Sequence, residues 1–168
     1  MPVRGQYNES GQSGDLNQWD AKWKGAVAVV PGDLVFRDAD GYDKPVANYT
    51  FTTNIATTAG TLNALFRGVS MARRVTTQTL DGDKADGNIL YDGEFCFDCA
   101  ALASAAAPGD LVSFAESPTN FVANQLVRIT AAAGEAIGRV TRDSAVGATS
   151  IWFKLLTPRL YGGPTAAA

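Results

Sequence analysis

Histidine is missing from all 168 residues. Its absence removes the commonest general base and the commonest metal-binding side chain, and with them any Ser-His or Cys-His nucleophile. Cysteine is nearly missing, with Cys96 and Cys99 the only two. Zinc on that pair would need two further Cys or His ligands, which the sequence does not contain. No apolar run approaches the ~20 residues of a membrane-spanning helix, so a soluble protein without a membrane partner is expected. Charge is sparse at 18% and leans negative, 17 acidic to 14 basic side chains, for a net charge of −3. Such a balance does not suit a protein that neutralises phosphates, and nucleic acid is not an expected partner. Residues 1–10 lack the apolar stretch of a secretory signal and give no indication of export. There is no Gly-x-x-x-x-Gly-Lys phosphate loop and no carboxylate pair marked by spacing. The expectation is a protein that is not an enzyme and uses no cofactor and no metal.

What is present is repetition. Pro31-Gly32-Asp33-Leu34-Val35 recurs letter for letter as Pro108-Gly109-Asp110-Leu111-Val112. Each copy is followed by a second shared signature, Phe66-Arg67-Gly68-Val69 in the first and Ile137-Gly138-Arg139-Val140 in the second. The turns lie 77 residues apart and the glycines Gly68 and Gly138 lie 70 apart. The seven-residue difference places extra loop in the first copy, between Val35 and Gly68. Pro presets φ, Gly accepts a positive φ and Asp bonds nearby backbone before Leu-Val enters a strand, so each copy reads as the same turn entering the same strand. A degenerate duplication of one β unit follows, within a chain whose length fits a single domain.

Short strands punctuated by turns fill residues 25–157, the span expected to form the β-barrel domain. The apolar run 26–30 reads as a buried strand and 34–37 as the next, ending at the Asp40-Gly41 turn signal. Residues 47–52 alternate, with Ala47, Tyr49 and Phe51 on one face, which predicts a half-buried strand. Residues 54–63 fit either a loop or a short helical turn. Strands are expected at 65–69, 72–80, 89–97, 111–114, 121–130, 136–141 and 149–156, and a brief connection ahead of Pro108. This spacing without a long helix describes an all-β, turn-rich small barrel or sandwich built from two similar β units. Residues 158–168 read as a loose tail.

The pair Cys96 and Cys99 spells C-x-x-C, but in a strand context that puts the two on opposite faces, ~10 Å apart and beyond disulfide reach. Asp38, Asp40 and Asp43, and Asp81, Asp83 and Asp86, resemble fragments of calcium loops. Neither run has a Glu at the twelfth position, so turn carboxylates are the better reading. Residues 1–24 are polar and lack periodicity, as in an extended arm. Tyr7, Trp19 and Trp23 stand out there as large rings. One reading has the two Trp capping the barrel of their own subunit; the other makes the three rings partner contacts.

The Pro-Gly-Asp-Leu-Val strand, the later Gly-Val strand, and Gly134-Glu135-Ala136-Ile137-Gly138-Arg139-Val140 followed by Ala145-Val146-Gly147-Ala148-Thr149 and a closing strand resemble the small capsid cement, or head-decoration, proteins of tailed bacteriophages. The resemblance runs from about Ala26 to Leu156. It implies a turn-rich β barrel that acts as a structural virion protein, made in the host cytoplasm and seated on the capsid exterior. It further implies a homotrimer bridging subunits of the major capsid protein, beside neighbouring decoration subunits. The longer arm and inserted loops depart from the compact members, so residues 38–63 and the arm are where contacts peculiar to this chain are expected. The alternative is a fibre-base or host-surface module that binds glycans, which exposed aromatics around one concave site would favour.

Overall fold

The structure is a computed structural model that describes residues 18–19, 21–80, 89–119 and 121–156, with the backbone alone for 18–19. It is β-rich, with one short α-helix among the described residues. In the first unit β1 (Gln18–Trp19), β2 (Leu34–Arg37), β3 (Asp43–Pro45), β4 (Phe66–Ser70) and β5 (Ile89–Leu90) pair in the order β1-β5-β4-β2-β3. In the second, β6 (Glu94–Cys99), β7 (Leu111–Glu116), β8 (Val122–Thr130), β9 (Ala136–Val140) and β10 (Ser150–Leu155) pair in the matching order β6-β10-β9-β7-β8. The second ladder then returns to its start, because β8 also pairs with β6 in parallel through Asp98–Leu126 and Cys99–Val127. The first has the same seam reduced to one parallel bridge, Trp23 with Asp43.

The copies agree bond by bond. The Asp33 carboxylate accepts from Val30 N at 2.9 Å, and the Asp110 carboxylate from Ala107 N at 2.9 Å. Gly32 N donates to Ser70 O at 2.8 Å and Gly109 N to Val140 O at 2.9 Å. Val29 exchanges backbone bonds with Arg74 as Ala106 does with Ser144. Val35 lies opposite Gly68 and Val112 opposite Gly138, each pair followed by a shift in register. The two glycines are required by close approach. A Cβ on Gly68, whose φ is +139°, would collide with the Leu90 carbonyl, and one on Gly138 with the Phe153 ring and the Lys154 carbonyl.

Residues of both units share one core. Leu34, Phe36, Leu62, Phe66 and Leu90 pack with Phe97, Phe114, Ile137 and Phe153, and Phe66 meets Phe114 edge to face at 5.4 Å between ring centroids. Along β6 the burial alternates, with Phe95, Phe97 and Cys99 inward and Glu94, Cys96 and Asp98 half-buried. A second, smaller cluster of Ala21, Trp23, Val29, Val35, Ala72 and Ile89 fills the first unit. At the matching positions the bulk is exchanged: Trp23 and Ile89 stand where the second unit has Cys99 and Phe153.

Three expected strands are not strands. Residues 47–52 follow Pro45 into a 3-10 turn, Val46–Asn48, and then run extended without a paired strand. Their alternation records that Tyr49 and Phe51 pack on the core, a demand that a single-sided wall meets without a ladder. The stretches 26–30 and 72–80 meet at the isolated Val29–Arg74 bridge and by Ala26 N donating to Gln78 O at 2.8 Å, without forming a ladder. They turn away at Ala26, which has φ of +58°, and at the turn closed by Gln78 N to Val75 O. Residues 54–63, open between loop and helix in the sequence, form α1 (Ile55–Leu62), where Asn54 Oδ1 caps Thr57 N at 2.9 Å.

The offset between copies localises the insertions. It is 77 residues at β2 and β7, 84 at β3 and β8, and 70 at β4 and β9. The β7–β8 hairpin is therefore seven residues longer than β2–β3, while the connection after β3, which carries α1, is 14 residues longer than the one after β8.

Candidate functional site

The three rings singled out in the N-terminal segment are not brought together among the described residues. Tyr7 lies outside them. Trp19 is in β1, opposite Ile89. Trp23 is fully buried, its indole N–H has no acceptor among the described residues, and its neighbours are Ala21, Val29, Val35, Ala72 and Ile89. Its burial accords with the reading in which the two Trp cap the barrel of their own subunit, and Trp19 and Trp23 both pair with residues of the first unit. The physical cause is the parallel seam. Asp43, itself fully buried, accepts Lys22 N on its carboxylate at 2.7 Å, donates its own N–H to Lys22 O, and accepts Lys24 N on its carbonyl. The Arg37 guanidinium neutralises it through Nε at 2.9 Å and Nη2 at 2.7 Å, with Arg67 Nε at 3.7 Å.

The other acidic and sulfur groups also do structural work. Asp38 and Asp40 clamp Lys44 Nζ at 2.5 and 2.9 Å, and those hydrogen bonds hold both carboxyls below their ordinary pKa. Asp81, Asp83 and Asp86 lie outside the described residues. Among the described residues no group of three His, Cys, Asp or Glu is placed to hold a metal. Cys96 and Cys99 are unbonded, and desolvation raises both thiols above their ordinary pKa, the opposite of a reactive thiolate. Glu94 is held below its ordinary pKa by the Arg142 guanidinium and Thr141 Oγ1, and Arg142 Cζ lies over the Trp152 ring, 3.9 Å from its centroid. Asp33 is buried, and desolvation raises its pKa although Val30 N and Gln125 Nε2 donate to it.

What the sequence did not reveal is a cleft of about 760 Å³ between the two units, lined by Ala47 to Thr53, Glu116 and Phe121. One wall is the extended run after β3. Tyr49 fixes it by an edge-to-face contact with Phe36 at 5.3 Å and by its hydroxyl, 3.2 Å from Thr61 Oγ1. Thr52 fixes it through Thr58, with N–H and Oγ1 held at 3.1 and 3.0 Å. The base of this wall is tied across units by Ala47 N to Asn124 Oδ1 at 2.7 Å. The other wall is the tip of the β7–β8 hairpin, where Glu116 pairs with Val122 and Phe121 is 51% exposed. Among the described residues the Glu116 carboxylate has no partner and no Lys or Arg lines the cleft. A signal for it existed in the sequence: the cleft is walled by the two insertions, which the mismatch in offsets between copies brackets. No protein-family model matches the chain, and no curated protein matches it.

Proposed function

We propose that the chain is a structural virion protein that decorates and cements the outer surface of a phage capsid, as a homotrimer bridging major capsid protein subunits. One observation carries the reading. The residues on which the resemblance to cement proteins rests, Pro108-Gly109-Asp110-Leu111-Val112 and Ile137-Gly138-Arg139-Val140, are those that build the second unit's ladder at its tightest approach. The first unit repeats them in place. Part of the likeness therefore falls on fold-determining positions, Val112 and Gly138, while Gly109, Gly134 and Gly147 of the same motifs face open space. A cement protein acts by linkage: binding the assembled shell and not its free subunits stabilises the shell by mass action, and three linked copies of a weak contact add avidity. The test is co-sedimentation of the purified protein with expanded capsids of the phage that encodes it, alongside light scattering of the free protein. Saturable binding of a trimer is expected. A monomer that leaves the capsids bare would overturn the reading.

A fibre-base or host-surface module that binds glycans is the second reading. The concave site edged by Tyr49, Phe51 and Phe121 favours it.

A further inference from the structure

At the cleft the two copies of the β unit depart from each other and meet. Its first wall belongs to the 14-residue excess after β3, and its second to the seven-residue excess of the β7–β8 hairpin. Neither insertion is needed to complete a ladder, since the other copy closes without it. Both are nonetheless pinned, one by Tyr49–Phe36, Tyr49–Thr61 and Thr52–Thr58, the other by the Glu116–Val122 pair. Two independent elaborations of a repeated scaffold thus converge on a preformed concave surface, the setting in which a ligand site is expected.

The lining chemistry selects among ligand classes. Phosphates, sulfated chains and nucleic acid need cations; the lining has none and carries a carboxylate. A peptide added as a strand along Thr50–Thr53 would meet an interrupted edge, because Thr52 N–H is already held by Thr58 Oγ1. A neutral sugar chain fits what remains. Phe121 offers a half-exposed ring to the C–H face of a sugar, with Tyr49 and Phe51 behind it. Glu116 supplies a charged acceptor for paired hydroxyls, and Asn48, Thr50 and Thr53 have side chains uncommitted within the described residues.

We propose that this cleft binds a neutral oligosaccharide, with Phe121 as the stacking platform and Glu116 as the hydroxyl acceptor. The inference rests on the second reading above for its use and is tested on the isolated protein, so that its failure leaves capsid binding untouched. Saturation-transfer NMR is run on the full chain with maltotetraose, cellotetraose, chitotetraose and mannotetraose, and with heparin tetrasaccharide and tetralysine as charged controls. The expected result is transfer to at least one neutral tetrasaccharide and to neither control, weakened at least tenfold in Phe121→Ala and in Glu116→Gln. Both side chains are exposed, so the variants retain the parent's melting midpoint. Transfer to none of the four sugars, transfer to tetralysine in their place, or sugar binding that both substitutions leave intact overturns the proposal. If sugar binding holds while the parent protein fails to adsorb to host cells, the host-surface reading fails and the cleft stands.

Discussion

The two β units share an order of strands, a turn and a glycine contact, yet they close by different chemistry. The second seals its seam with two parallel pairs, and the residue at its centre, Val127, is apolar and fully buried. The first puts Asp43 at the same place and seals with a single bridge, a carboxylate shared by Lys22 N, Arg37 and Arg67, and the Trp23 side chain packed behind it. A seam with few ladder bonds is thus reinforced by charge-assisted hydrogen bonds and one large ring. Such a device holds well while complete and poorly when any member is lost, because a buried charge without its partner is costly. The apolar seam has no such dependence.

Substitutions at matched positions make that contrast measurable. Gly138→Ala and Gly68→Ala break the feature common to both units, since each new Cβ meets backbone that has no room to move. Each is expected to lose about 4 kcal/mol or more in urea unfolding, and a loss below ~1 kcal/mol in either would refute the equivalence of the two contacts. Trp23→Ala empties the first unit and is expected to cost about 4 kcal/mol, against about 1 kcal/mol for Cys99→Ala at the matching position. Equal costs would show that the two seams bear alike. Asp43→Ala removes the buried carboxylate that Arg37 and the Lys22 amide share, for about 3 kcal/mol, whereas Val127→Ala costs about 2 kcal/mol by lost packing. Restoring an acceptor with Asp43→Asn recovers only part of the first loss, since the amide offers Arg37 no negative charge.

The smallest effects are electrostatic and titrate. Glu94 and Asp38 have folded pKa values below their ordinary 4.5 and 3.8. They stabilise the fold fully above those ordinary values, and the contribution is lost as pH falls through the lowered folded values. Asp33 runs the other way. Its pKa is raised above 3.8 by desolvation, so its ionisation opposes folding and the penalty sets in as pH climbs from 3.8 through the folded value. Asp33→Asn should therefore raise the melting midpoint at pH 7 and converge with the parent near pH 3, while Glu94→Gln loses under about 1 kcal/mol at pH 7 and nothing at low pH. An unchanged midpoint at pH 7 in Asp33→Asn would show that Val30 N and Gln125 already offset its burial.

Much of the fold was legible because it is written in local chemistry. The turn residues, the glycine pair and the strands 34–37, 65–69, 111–114, 121–130, 136–141 and 149–156 need only the chain's own neighbours to be recognised, and the repeat placed the first unit's insertion between Val35 and Gly68. The misreadings at 26–30, 47–52 and 72–80 have one cause. Alternation and β-propensity show that a segment faces a core, not that a partner strand lies within reach. Trp23 stayed open between its own core and a partner for a related reason: a polar neighbourhood of Gln, Asn and Ser hides that Asp43 draws the segment into the seam. The cleft stayed hidden because its walls come from insertions about 70 residues apart in the chain, Tyr49 to Thr53 and Glu116 to Phe121.

By itself the sequence determined the unit and its duplication, because turn dihedrals and a repeated motif are properties of the chain alone. Tertiary structure alone decided how each unit closes, which aromatic rings are core and which are exposed, and where the two insertions meet. Those outcomes depend on which surfaces two copies of one unit bury against each other, and burial is fixed by contacts between residues distant in sequence.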